Sequence, residues 1–182
     1  MSCALTRGRL LGYKDSIGVI KTIVLGAHAD LGAVTVTSDE VTAVAGTITM
    51  YQYDLPKHTG SLTDNITVSV ENGTVFYEQV IAATLHKLTK ADHAELKLLA
   101  QNRLAVFVED VNDNIFLIGR NQGAEITAGT AVTGTAKGDM NGYTLEIKAE
   151  EIQPSMFVAR SAGQTLDAAL EALGSVTVTQ GT

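Results

Sequence analysis

The chain has 182 residues, 45% of them apolar and only 18% charged, with a formal net charge of −7 and a single cysteine, Cys3. That length suits one ordinary domain, and the apolar content excludes a chain disordered by composition. The acidic balance excludes tight nucleic-acid binding driven by counterion release, and the lone cysteine excludes an internal disulfide framework and fits folding in a reducing cytoplasm.

Thr and Val are abundant, and 17 Gly stand against 2 Pro, a balance that favours strands joined by Gly- and Asn-containing turns. At the start of the chain, Arg7 and Arg9 are followed by no apolar run with a small-residue cleavage site, so a signal peptide is not expected. Residues 19–25 read as a mostly buried strand and 33–37 as another. From Thr47 to Tyr53 the pattern alternates, with Ile48 and Met50 on one face. Residues 54–64, holding Pro56 and Gly60, read as a loop longer than a usual hairpin connection. That makes Asp54, Pro56, Lys57, His58 and Gly60 candidate contact residues.

Ile66, Val68 and Val70 then alternate with Thr67, Ser69 and Glu71, which predicts a half-buried strand ending in a two-residue Asn72-Gly73 turn. Residues 74–88 admit helical spacing through Phe76, Val80, Ala83 and Lys87, but a long return strand is better supported, because Val75, Tyr77, Gln79, Ile81 and Ala83 continue the hairpin. A helix is expected over about 89–101, with Thr89 as its cap, Asp92 three residues on, Leu96, Leu99 and Ala100 on one face, and Asn102 at its stop. Residues 104–110 and 114–119 flank a hairpin turn, residues 124–136 suggest an exposed strand, and Tyr143, Leu145 and Ile147 alternate after Asn141-Gly142. Beyond Pro154 the character changes. Leu166, Leu170 and Leu173 share a stripe over 164–173, which predicts a short helix outside the β-domain, docked on a neighbouring subunit through those leucines. Deleting residues 160–182 is then expected to weaken assembly while leaving circular dichroism nearly unchanged.

The fold class expected is therefore mainly β: a β-sandwich or small barrel with one flanking helix and a short C-terminal helix. The domain spans residues 1–158, with an extension over 159–182. No segment reaches the roughly 20 apolar residues of a membrane helix, so no membrane span is expected.

Catalytic chemistry needs convergent groups, and the sequence offers few. His28, His58, His86 and His93 form no zinc-binding pair, and His86 and His93 read as polar residues at a strand end and a helix surface. Asp110, Asn112 and Asn114 imitate the opening of a calcium loop, but Ile115 and Asn121 stand where that loop needs Gly and Glu, which leaves a polar hairpin turn. Glu150 and Glu151 are neighbours and in a strand point to opposite faces, unsuited to paired acid and base. Phosphate-binding and nucleophile motifs are absent. No catalytic residue, cofactor or metal is expected, and no enzyme activity.

The order of elements, with the stretches 76–101 (FYEQVIAATLHKLTKADHAELKLLAQ), 106–127 (VFVEDVNDNIFLIGRNQGAEIT) and 138–158 (GDMNGYTLEIKAEEIQPSMFV), resembles the tail tube proteins of bacteriophages and the related haemolysin-coregulated protein. The resemblance covers roughly residues 13–158. It implies a virion structural protein located in the phage tail and assembled in the cytoplasm of a bacterial host. It further implies rings of six subunits joined edge to edge, stacked through loops into a tube whose acidic, Thr-rich lumen lets DNA pass. The expected partners are other copies of the chain and further tail proteins: a sheath where one exists, tape measure, baseplate and terminator. The 54–64 loop and the N-terminal arm are the candidate stacking elements. Alternatives are another ring-forming virion part, such as a neck, collar, connector or capsid decoration protein, and a carbohydrate-binding β-sandwich. The absence of Trp counts against the last.

Overall fold

The computed structural model describes residues 7–180. In chain order its elements are β1 (Ile20–Ala27), β2 (Val34–Thr37), β3 (Glu40–Asp54), β4 (Gly60–Ser69), β5 (Thr74–His86), α1 (Lys90–Leu99), β6 (Leu104–Asp110), β7 (Ile115–Ile118), β8 (Glu125–Val132), β9 (Gly142–Glu151), β10 (Met156–Val158), α2 (Leu166–Glu171) and β11 (Gly174–Gln180). Among the described residues the protein is mainly β, with two sheets and two α-helices, as the composition and turn pattern predict.

The first sheet runs β1-β6-β7-β10-β3, and β1 pairs back onto β3, so the five strands close into a small barrel. Closure removes the free edges of an open sheet. β2 and β11 are appended to β3, antiparallel and parallel respectively. The second sheet is open and antiparallel, in the order β4-β5-β9-β8.

Two cores follow from the period-two geometry of strands. Val24, Ile48, Met50, Ala105 and Phe107 fill the barrel. Ile23, Leu25, Leu104, Val106 and Val108, the alternate residues of β1 and β6, turn the other way and meet Ile81, Ala83, Ile147 and Ala149 of the second sheet. β1 and β6 are thus one wall with a core on either face, which explains why their sequences read as near-continuous apolar runs. Buried Gln79 helps join the layers: its amide donates to the Gln153 carbonyl at 3.1 Å and its oxygen accepts from Gly119 N–H at 3.1 Å.

Local signals hold well. Thr89 caps α1, accepting from Asp92 N–H at 3.0 Å, while its hydroxyl donates to the Asp92 carboxylate. Asn102 closes the helix by donating to the Leu98 carbonyl at 2.9 Å. Leu99 is the only buried residue of α1, so the helix sits on the flank of the second core. The Asp110–Asn114 turn is held from within, Asp110 accepting from Asn114 N–H at 2.7 Å. Glycine is required at residue 46, where a Cβ would stand 1.9 Å from the Asp30 carbonyl oxygen.

The C-terminal expectations need correction. α2 spans six residues, shorter than 164–173, and its leucines do not face outward. Leu166, Leu170 and Leu173 are buried in the barrel core of their own chain, with Ala169 and Val176 beside them. β11 then lies along β3 from Val44 to Gln52. Residues 164–180 therefore belong to the domain, and the boundary expected at residue 159 is not a structural one. Helical spacing identifies an apolar stripe but carries no information on whether its partner is the same chain.

Tyr53 borders the second core. Burial first, then the negative charges of Glu95 and Asp92, push its hydroxyl up from 10.0 to about 12. A raised folded-state value means that the stability from this group is present below pH 10.0 and lost as pH rises toward about 12. Ultraviolet absorbance titration should show a late-ionising tyrosine that disappears in Tyr53→Phe; an unchanged titration curve in that variant would contradict the packing described.

Candidate functional site

The residues expected to form one contact loop are dispersed. Strand β4 already begins at Gly60, so the connection after Asp54 covers only residues 55–59. It is a crossing between the two sheets: Leu55 N–H donates to the Lys21 carbonyl at 3.0 Å and Thr84 N–H to the Thr59 carbonyl at 2.9 Å. Pro56 is half-buried and accepts from the Thr59 hydroxyl at 2.6 Å, leaving Lys57 and His58 exposed at the bend. Gly60 fits between Leu55 and Ile20. Asp54 lies elsewhere, at one end of the barrel. Turn residues such as Pro and Gly marked the crossing, but the Ser61–Asp64 stretch lacks the apolar alternation that would have announced a strand.

Three exposed features stand out instead. The first is the pair of open edges of the second sheet. β4 bounds it on one side and β8 on the other, and β8 (EITAGTAV) is exposed along nearly its whole length. Small Ala and Gly side chains leave its backbone approachable.

The second is the hairpin end of β4–β5. Register places Ile66 opposite Tyr77 and Val68 opposite Val75, while β9 ends at Glu151, also opposite Tyr77. β8 stops earlier still, with Glu125 opposite Lys148, which is level with Val80. The hairpin therefore runs on past β8 by about six residues, roughly 20 Å. The expected half-buried strand has no second layer here: Ile66 is 64% exposed and Val68 60%. Alternation shows which side chains share a face, and not whether anything covers it. Val70 also lies in the open, in a four-residue turn (70–73) that replaces the expected two-residue one, with Gly73 at φ +62°.

The third is the face of the second sheet turned away from the core. Glu78, Glu146, Glu150 and Glu125 lie on it with Thr84, Thr130 and Thr144, and Lys148 is its central cation. Lys148 pairs with Glu78 and with Glu150, the latter at 3.2 Å, while Arg103 reaches Glu125 at 3.5 Å from the margin. The hydrogen bond from Lys148 holds Glu78 below its ordinary value, and the same contact raises Lys148. Around Ala82, Thr84, Ala128 and Thr144 this face forms a hollow of about 750 Å³. Glu151, by contrast, turns inward and is buried, accepting from the backbone N–H groups of Asn121 and Gln122 at 2.7 and 2.9 Å.

A polar groove of about 880 Å³ opens where the barrel core ends. The inward stripes of β1, β3, β6 and β11 end there in Thr22, Gln52, Asp54, Glu109 and Gln180. Buried Glu109 accepts from Arg160 at 2.7 Å and pairs with Lys21 at 2.9 Å. Asp54 accepts from Thr22 and Gln52, and Asp167 from Gln180. Sequence reading missed Arg160 because its carboxylate partner, Glu109, lies 51 residues away in the chain.

Among the described residues, no group of three or more His, Cys, Asp or Glu is placed to hold a metal ion. No described helix is long and apolar enough to cross a membrane. No family model, curated protein or solved structure matches the chain.

Proposed function

We propose that this chain is a self-assembling virion structural protein, a subunit of a phage tail tube, and that the open second sheet is its assembly element. The observation that carries the reading is the pair of unpaired edges on a sheet with an even number of antiparallel strands. Rotation about an axis along the strands preserves their direction, so β8 of one copy meets β4 of the next antiparallel, and the alternation continues without a break. Such a contact is head-to-tail and closes into a ring when the rotation allows. Exposed edges, elsewhere a hazard for aggregation, become the binding surface.

The remaining features support the same reading. The hollow Glu- and Thr-rich face would line the ring, giving a wall that repels phosphate and lets DNA slide. Its cations are few and engaged with carboxylates. The hairpin projects along the strand direction, hence along the ring axis, and offers Ile66, Val68 and Val75 to the next ring. Six copies, as in the families the sequence resembles, would join their four-stranded sheets into one barrel. Sheath, tape measure, baseplate and terminator proteins are the partners this role brings with it.

Size-exclusion chromatography followed by negative-stain electron microscopy tests the proposal. Hollow rings or tubes are expected, and a protein that stays single across concentration and salt would overturn it. Ile66→Asp with Val68→Asp separates stacking from ring closure. Both side chains are exposed in the monomer, so its melting temperature should hold within about 2 °C, as befits surface substitutions. Tubes should give way to single rings. Long tubes formed by the double variant would exclude the hairpin from stacking and leave that role to another surface, whereas a parent protein that stops at single rings would favour another ring-forming virion role.

A further inference from the structure

We propose that residues 7–17 form an exchange arm that lies in the polar barrel-end groove of a second copy. This rests on the self-assembly reading and names a partner surface for it. The arm carries Leu10, Leu11 and Tyr13, which are 92%, 103% and 92% exposed and so touch almost nothing of their own chain. Three large apolar side chains in succession on a strand-free segment cost free energy in water and favour a covering surface. The segment is basic as well: Arg7, Arg9 and Lys14 stand against Asp15 alone.

The groove is complementary in charge. Its two cations, Lys21 and Arg160, are already engaged with Glu109 and Asp113. That leaves Glu40, Asp54 and Asp167 with no cation within ion-pair distance among the described residues, three carboxylates for three arm cations. Asp167 Oδ1 and Gln52 Oε1 are shut from solvent and have no hydrogen-bond partner among the described residues, so a donor that reached them would satisfy a costly vacancy. Phe157, 48% exposed, stands at the rim of the groove, packed on Phe116.

Geometry allows the exchange. The arm is fixed at its root, where Ile17 N–H donates to Asn112 at 3.0 Å and Asn112 donates to the Ile17 carbonyl at 2.7 Å. From there residues 7–17 extend by up to about 38 Å, enough to leave their own domain and reach a neighbour. Partial covering by the arm's own copy would have to fold it back on the same end of the barrel.

Carbodiimide cross-linking of a mixture of ¹⁵N-labelled and unlabelled full-length protein tests this. Lys14 is the arm's single lysine, so its cross-links report the arm alone. Heavy-to-light peptides joining Lys14 to Glu40, Asp54 or Asp167 are expected, and in Asp54→Asn with Asp167→Asn, which keeps Glu40, the Lys14–Glu40 peptide should weaken as the groove loses charge. Cross-links confined to one chain, or directed to Glu146 and Glu150 instead, would overturn the inference. Tubes that form without the groove cross-links would overturn the arm while leaving the tube reading intact. Groove cross-links in a species that never forms rings would do the reverse.

Discussion

Truncation after Gly163 is expected to unfold the protein. The removed segment supplies Leu166, Leu170, Leu173 and Val176 to the barrel core and β11 to the sheet. Burying each of these side chains contributes about 1.5–3 kcal/mol. Together they amount to about 6–12 kcal/mol, comparable with the 5–15 kcal/mol by which a whole domain is stable. Arg160, if retained, also loses the Gln164 carbonyl that fixes its guanidinium against buried Glu109. The truncated chain should lose its cooperative melting transition and its native circular dichroism. Leu170→Ala gives a graded version, with a loss of about 2–5 kcal/mol because Leu170 is fully enclosed and a cavity is left behind. At about 2–4 °C per kcal/mol for a chain of this size, the melting temperature falls by about 4–20 °C. A truncated chain that keeps a native spectrum and melts cooperatively would show that the extension is dispensable, as its helical stripe had suggested.

Much of the fold was legible because its causes are local. The Thr89 cap, the Asp110–Asn114 turn, the long β5 strand and the buried faces of Ile48 and Met50 all depend on residues a few positions apart. β11 was legible in principle: Val176 and Val178 alternate with Thr177 and Thr179, a pattern obscured by the leucine stripe just before it. Barrel closure was not, because β1 pairs with β6 and β3 across long separations in sequence and no local pattern sets that choice. The destination of the C-terminal leucines falls in the same class, since a neighbour and the chain's own barrel demand the same stripe.

The candidate surfaces were legible to a smaller degree. Composition pointed to an acidic exterior, and Glu78, Glu146 and Glu150 gather on one face because Glu146 and Glu150 are four residues apart on β9 and Glu78 stands opposite Glu150 on β5. Which sheet stays open is a property of the whole topology. The hairpin misled the pattern reading for a physical reason: Ile66, Val68 and Val70 have the periodicity of a core-facing strand, and the covering layer simply stops short of them. That uncovered stripe is what the proposal of a stacking hairpin rests on.

Proline substitution at the β8 edge separates fold from assembly most sharply. Adjacent residues of a strand send their N–H groups to opposite sides, so of Thr130→Pro and Ala131→Pro one removes a bond to β9 and the other removes an amide that faces the open edge. The first variant should be destabilised by about 1–3 kcal/mol, the cost of leaving a ladder acceptor without its donor. The second removes only a solvent-facing donor, and proline is tolerated at such edge positions. That variant should melt like the parent protein and yet remain a monomer in size-exclusion chromatography, because a partner's β4 would find neither its donor nor room beside the ring. The melting temperatures themselves identify which variant is which, so no prior assignment of the amides is needed. If the stable variant still builds rings, β8 is not the seam, and assembly must run through the hairpin and the arm alone.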